Sequence, residues 1–337
     1  MVRNRRIRNV VRTREEIDSV IEKNGHKYIL IPNNIFDDFY EKKATVTRKV
    51  MEKNKDTGEL EEKEKIEHFT ELDMIVYIFL QFISKNKITT NKNRIAEYLD
   101  CSSKQLSVSL KKLRLYEGKI NARYNPYHNV VDIIEETVEP LITEKSYLAY
   151  NPKTKKRKQA LHWFVNYIPY YKIKKKKDKE VAVAVNFFMV TFDDLQLLLD
   201  GTLTRNEFVT YLWLLRVYKY GATHDGQMWW SYSKIAERLN YKLPETIQNH
   251  IEKLLEIKID DIPLLEEIRP DNYDLKLLQG EEPSAKFIPI YNPSKMMEMD
   301  FGKEEVNSEN EEVNFKIAEV SLEKEEMDFE KAEALFG

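Results

Sequence analysis

The sequence predicts an α+β protein, mainly helical, in which one unit of three helices and a strand hairpin occurs twice. A chain of 337 residues is long enough for roughly two domains with connecting segments. Two stretches about 140 residues apart repeat the same helical pattern. Charge is also segregated, because basic residues are concentrated near the start and in the middle and acidic residues at the end.

The first helix of each unit is predicted to begin at a capping box. "TELDMIVYIFL" from Thr70 aligns with "TRNEFVTYLWL" from Thr204, and an acid, Asp73 or Glu207, follows three residues later in each. In such a box the hydroxyl accepts from the third helical amide and the acid accepts from the cap amide. The apolar residues that follow predict a buried first helix in both units.

The second and third helices are predicted from apolar residues at helical spacing, with a change of phase at the turn between them. "IAEYLDCSSKQLSVSLKKL" aligns with "IAERLNYKLPETIQNHIEKL", which has one residue more in the turn. The third helix is expected to start at Ser102 or Ser103 and at Pro244. The shared apolar positions are Ile95, Leu99, Leu106, Leu110 and Leu113, matched by Ile235, Leu239, Ile247, Ile251 and Leu254.

Strand-like segments follow each third helix, at 119–136 around Asn125-Pro126 and in proline-broken pieces over 257–291. Three helices followed by a two-stranded hairpin make a winged helix-turn-helix. Further predictions are a helix at 15–23, strands at 26–32 and 180–192, and a charged hairpin at 45–67. The predicted domains are a winged helix with a basic arm at 1–140, a basic aromatic linker or hairpin at 141–180, a second winged helix at 181–295 and an acidic disordered tail at 296–337.

The charge distribution favours nucleic acid as a partner, although the formal net charge is −3. Six arginines lie within the first 14 residues, and residues 153–179 hold 11 basic side chains against one aspartate. Such clusters bind phosphates by releasing counterions. The aromatic residues among them, including Trp163, either stack on unpaired bases or pack into a domain.

The third helix of the first unit is the predicted main DNA reader, because it has no acid and its polar side chains suit phosphates and base edges. A solvated helix face is the alternative. The equivalent helix of the second unit contains two glutamates on its polar face and serves either DNA or a protein partner. The candidate DNA-binding residues are Lys104, Gln105, Ser107, Ser109, Lys111 and Lys112 in the first helix; Thr246, Gln248, Asn249 and Lys253 in the second; Arg123 and Tyr124 in the first wing; and Lys155, Lys156, Arg157, Lys158, Lys174 and Lys175 in the linker.

Enzyme signatures are missing from the sequence. There is no phosphate-binding loop, no G-x-G-x-x-G and no His-x-His pair. The adjacent acids Asp37-Asp38, Asp193-Asp194 and Asp260-Asp261 are predicted to cap helices or turns. The single cysteine, Cys101, favours a cytoplasmic protein, and no apolar run is long enough to span a bilayer. We therefore expect no catalytic residue, cofactor, metal or membrane association.

The two aligned units resemble replication initiators of plasmids and phages from Gram-positive hosts. The resemblance is carried by 69–135 and 187–292, and above all by "WSYSKIAERL" from Trp230 after an "FFMV" strand. It implies a protein with tandem winged helices that binds repeated sites in double-stranded DNA at an origin, as a monomer or a homodimer. The acidic tail would recruit a host replisome protein or shield the basic surface. A transcriptional regulator or partition adaptor with the same domains is the alternative.

Overall fold

A computed structural model describes residues 13–289, except 25–26, 42–43, 54–57, 126–129, 152–155, 166–169, 177–178, 186, 223–228 and 260. Between 122 and 185 it describes mostly the backbone. The predicted basic arm before Thr13 and the predicted acidic tail lie outside the described residues.

The first repeated unit contains the helices expected from the sequence and a preceding strand and helix. The predicted helix at 15–23 and hairpin at 45–67 are both present. A short helix that continues as a π-helical turn, Asp37–Glu41, was not predicted. The elements are, in order, α1 (Arg14–Asn24), β1 (Tyr28–Pro32), α2 (Asn33–Phe36), β2 (Thr45–Lys53), β3 (Leu60–His68), α3 (Glu71–Lys85), α4 (Lys92–Tyr98), α5 (Ser103–Leu115), β4 (Glu117–Asn125) and β5 (Val130–Pro140).

The middle of the chain forms two antiparallel hairpins. β6 (Ile142–Asn151) pairs with β7 (Lys156–Val165), and β8 (Tyr170–Lys176) pairs with β9 (Lys179–Val185). Because the described residues from Glu117 to Thr191 are almost all strand, the chain contains helix and strand in mixture, and the expectation of a mainly helical protein underestimated the strands. Trp163 of β7 is fully buried where this strand packs on α3, so for this aromatic residue the packing alternative is correct.

The second unit repeats the order of strand, short helix and the three helices of the repeat. The single strand predicted at 180–192 is in fact two strands with different partners, β9 and β10. A short helix between β13 and β14 was not predicted. The elements are β10 (Phe187–Thr191), α6 (Phe192–Leu199), α7 (Arg205–Ala222), α8 (Tyr232–Leu239), α9 (Pro244–Glu256), β11 (Lys258–Ile259), β12 (Ile262–Pro263), β13 (Leu265–Ile268), α10 (Tyr273–Leu278) and β14 (Lys286–Pro289).

A strand from each unit joins the two halves of the molecule. β1 and β10 form a two-stranded antiparallel sheet in which Leu30 lies opposite Met189. These are the central residues of two five-residue strands, each of which leads into the short helix of its own unit. The neighbouring residues Ile31 and Phe188 are buried in one continuous apolar core that includes both units. The hydrophobic effect therefore holds the two units together as well as folding each one.

The second helix of each unit ends against the other unit. At the end of α8, the Asn240 side chain donates to the carbonyl of Tyr40, which lies before α3. At the end of α4, the carbonyl of Asp100 accepts from Arg205, the first residue of α7, at 2.6 Å. The equivalent helices α3 and α7 also pack on each other.

Candidate nucleic-acid interface

The turns between the second and third helices have the same backbone geometry in both units. Asp100 and Asn240 occupy aligned positions and have left-handed φ values of 45° and 61°, a conformation that Asp and Asn adopt more readily than most residues. The next amide, of Cys101 or Tyr241, donates to the carbonyl five residues back at 2.9 Å in each unit. Both turns are therefore helix ends of the Schellman type, which re-aim the chain into the third helix.

Side-chain capping fixes the start of α5. The Ser102 hydroxyl accepts from the Gln105 amide at 3.2 Å, and the Gln105 side chain accepts from the Ser102 amide at 2.9 Å. α9 instead begins with Pro244 and has no side-chain cap. Gln105 is exposed, and its side-chain oxygen accepts from the backbone at the start of the helix, while its predicted contact with DNA stays a prediction.

A buried ion pair corrects the prediction for two residues of α5. The Lys112 ammonium lies 2.6 Å from Asp73 Oδ2 and donates to the His68 carbonyl at 2.8 Å. The Ser109 hydroxyl donates to the other oxygen of Asp73. All three side chains are buried. Ser109 and Lys112 flank the stripe formed by Leu106, Leu110 and Leu113, and this places them towards α3 and away from any DNA.

The second unit contains the same ion pair at the aligned positions. Lys253 lies 2.7 Å from Glu207, which also accepts from the Thr204 amide at 2.7 Å. Burial opposes the charge of Glu207, but hydrogen bonds from Lys253 and Thr204 outweigh it and lower the pKa of this carboxyl. Lys253 therefore pairs with an acid of its own unit, as Lys112 does, but its side chain is 41% exposed, and its predicted DNA contact stays a prediction. These ion pairs could have been predicted from the sequence, because the capping acid and the lysine occupy aligned positions in the two units.

The predicted capping boxes of both first helices are confirmed. Asp73 accepts from the Thr70 amide at 2.7 Å, as Glu207 does from that of Thr204. One carboxylate therefore starts the first helix and anchors the third. Because the two helices share this group, the third helix is held at a fixed angle to the core in each unit.

What remains on the surface of α5 is a short basic face. Lys104 and Lys111 are exposed and Ser107 is partly exposed, one or two helical turns apart. Neither lysine forms an ion pair within the part of the chain that the structure describes. The helix contains no acid. The face therefore presents positive charge and a hydroxyl to solvent.

The corresponding face of α9 has the opposite character. Asn249 is exposed and Thr246 partly exposed, as predicted, but the Gln248 amide donates to Glu252 at 2.8 Å. Three exposed acids surround them, Glu245, Glu252 and Glu256. Phosphates would be repelled along most of this helix.

The basic residues predicted outside the helices lie on strands. Arg123 and Tyr124 belong to β4, Lys156, Arg157 and Lys158 to β7, and Lys174 and Lys175 to β8. Their side chains, and Lys155 as a whole, lie outside the described residues. The predicted wing and linker contacts therefore remain predictions.

The adjacent acids have several structural roles. Asp194 accepts from the Thr191 amide at 2.8 Å at the start of α6, as predicted. Asp37 ends α2 and pairs with Arg216 of α7, and Asp38 accepts from the Tyr116 hydroxyl. Across the described ranges, no group of three or more His, Cys, Asp or Glu side chains could hold a metal ion, and no helix has the length and apolarity needed to cross a membrane.

His250 makes the second unit sensitive to acid. Its Nδ1 lies 2.9 Å from the Thr210 hydroxyl, and burial lowers its pKa below the ordinary 6.5. Because the folded state binds this proton less readily than the unfolded state, stability is lost as the pH falls through 6.5 towards the folded pKa. Urea denaturation of the protein and of His250→Gln between pH 5 and 8 should show a smaller acid-side loss in the variant. Identical pH profiles would contradict this role.

No family model, curated protein or solved structure matches this chain.

Proposed function

We propose that this protein binds double-stranded DNA sequence-specifically, with α5 as the recognition helix of a winged helix-turn-helix. α4 and α5 would form the helix-turn-helix and β4–β5 the wing, and α8, α9 and the strands after them would form a second, related domain. The Schellman turn, the short second helix and the hairpin that follows the third helix support this assignment. In such domains the second helix of the motif enters the major groove.

The observation that carries the proposal is the exposed face of α5. Lys104 and Lys111 are exposed without an acid on their helix, whereas the neighbouring polar residues Ser109 and Lys112 are used inside the fold. Lysine contacts phosphates or guanine edges, and the hydroxyl of Ser107 can contact either. Because α9 presents three acids, we assign the main reading role to the first unit and a supporting or protein-binding role to the second.

Within DNA binding, we propose replication initiation at repeated origin sites. This part depends on the resemblance of 69–135 and 187–292 to plasmid and phage initiators. The fixed relation of the two units through β1 and β10 is compatible with a protein that engages an extended site as one body. A transcriptional regulator or partition adaptor is the second candidate, because it would use the same DNA-binding surface.

Removal of both exposed lysines of α5 tests the reading surface. Lys104→Ala combined with Lys111→Ala should weaken specific binding to DNA flanking the gene by about 10- to 100-fold, since two contacts worth about 1 kcal/mol or more each are lost. Gel shifts or fluorescence anisotropy across a salt series give the affinities. The slope of log affinity against log salt should fall by about 1 for each phosphate contact removed.

Lys234→Ala combined with Lys242→Ala is the matched control. Lys234 lies in α8 and Lys242 in the turn that follows it, and both are exposed. Their removal changes the net charge by the same amount as the α5 double variant does. Near-wild-type specific affinity is expected for this control. If both double variants lose the same affinity, α5 contributes only general charge and is not the reader.

Replication is tested in cells. A plasmid that lacks its own initiator gene and contains the DNA bound above should replicate when this protein is supplied in trans. The Lys104→Ala, Lys111→Ala variant should not support it. Specific binding without replication would favour the regulator or adaptor.

A further inference from the structure

The basic face of α5 has a complementary segment in the same chain. Residues 301–337 carry 12 acidic and 4 basic side chains. α5 presents Lys104 and Lys111 to solvent without an ion pair in the described parts of the protein. Lys104 also lies in the first turn of the helix, where the helix dipole adds positive potential.

The acidic segment is attached within reach of this face. The last described residue of β14 is Pro289, and 11 residues lie between it and Phe301. Fully extended, that connection spans on the order of 40 Å. A compact body of this length has a radius of gyration of about 19 Å and a diameter of about 50 Å. The connection and the first part of the 37-residue segment are together long enough to extend to any face. Tethering also gives the segment an effective concentration on the order of millimolar.

We propose that residues 301–337 bind the exposed face of α5 in the same molecule and compete there with DNA. The carboxylates would occupy the positions of backbone phosphates near Lys104 and Lys111. The contact is electrostatic and exposed, so added salt weakens it. DNA has a higher local charge density than the segment and displaces it when it binds α5 tightly. DNA of low affinity does not displace the segment. The competition rests on the proposed DNA-binding function, but the contact itself does not require DNA.

Zero-length cross-linking of the full chain without DNA tests the contact directly. A carbodiimide joins a lysine amine to a carboxylate only when the two groups touch, and mass spectrometry identifies the pair. We expect links from Lys104 or Lys111 to acids of 301–337. The Lys234→Ala, Lys242→Ala variant should retain these links, and DNA flanking the gene should abolish them. Links solely to lysines outside α5, or no links to the segment, would overturn the proposal.

Mixing isotope-labelled and unlabelled protein separates contacts within one chain from contacts between chains. Links that join only light to light or heavy to heavy peptides lie within one chain and support the proposal, and mixed light–heavy links in the statistical proportion lie between chains and overturn it. The DNA assay then separates the two ideas. If the links form but the protein does not bind DNA, the contact is supported and the proposed function is contradicted. If the protein binds DNA through α5 but no links form, the proposed function is supported and the proposed contact is contradicted.

Charge neutralisation of the segment tests the competition. Replacing Glu323, Glu325, Glu326 and Glu330 by Gln in the full chain should raise DNA affinity at low salt by about tenfold, because a few exposed ion pairs that compete with DNA are lost. The same four positions changed to Asp preserve the charge and should leave the affinity unchanged. Equal affinities for the Gln and Asp variants would overturn the competition.

Discussion

Replacing Lys112 with Met is expected to lower the free energy of unfolding by about 3 to 5 kcal/mol, the range for removing one partner of a buried ion pair. Asp73 is fully buried and Lys112 is its only cationic partner among the described residues. Met fills the space of the lysine stem but leaves the carboxylate without compensating charge. It also leaves the His68 carbonyl without its donor. Urea denaturation followed by circular dichroism measures the change.

The adjacent residue provides the control. Lys111 is exposed and forms no ion pair with the described residues, so Lys111→Met should change stability by no more than about 0.5 kcal/mol. A double variant, Asp73→Asn with Lys112→Met, should recover part of the loss because the buried charge is gone. Equal, small effects at 111 and 112 would show that Lys112 is solvated and would return it to the DNA-binding surface.

Phe188→Ala is expected to destabilise the protein by about 3 to 5 kcal/mol, as large-to-small changes of buried aromatic residues do. Phe188 of β10 is buried, pairs in register with Ile31 and packs edge-on against Phe36 of the first unit, with ring centroids 5.8 Å apart. Its removal leaves a cavity between the two units. Amide hydrogen exchange should therefore rise in α3 as well as in α7, because both helices lie against this shared core.

Phe187→Ala on the same strand is the matched comparison. Phe187 is partly exposed and alternates to the other face of β10, so less apolar surface is lost and a smaller effect is expected. If Phe188→Ala loosened only the second unit, the joint between β1 and β10 would not couple the units. Their apparent common core would then be two separate ones.

Much of the repeated unit could be predicted from the sequence because its signals are local. Capping boxes at Thr70 and Thr204, apolar spacing in the helices and the start of α5 near Ser102 all depend on residues within one or two turns. Alignment of the two copies showed which apolar positions recur, and a single copy could not show this. The short helices α2, α6 and α10 were missed, because four to eight residues show too few helical periods by themselves, whereas the equally short α4 and α8 were found by aligning the two copies.

The candidate site was only partly predictable, and the failures have one cause. Polarity placed Ser109 and Lys112 on a surface, but both are buried against the Asp73 carboxylate of α3. Lys253 likewise pairs with Glu207 of α7, although its side chain stays partly exposed. Asp73 and Lys112 are 39 residues apart. A polar side chain is stable in a core once a distant group replaces its water, and the local sequence does not reveal that group.

The sequence by itself determined where the helices of both units begin, which residues form their apolar stripes and where the charge is concentrated. Only the tertiary structure decided that β1 and β10 pair, and that Ser109 and Lys112 of α5 are buried while Lys104, Gln105, Ser107 and Lys111 lie at its surface. The physical reason is the separation along the chain between the residues that interact. Helix periodicity and capping act between residues a few positions apart, whereas strand partners and buried ion pairs form between segments that only folding brings together.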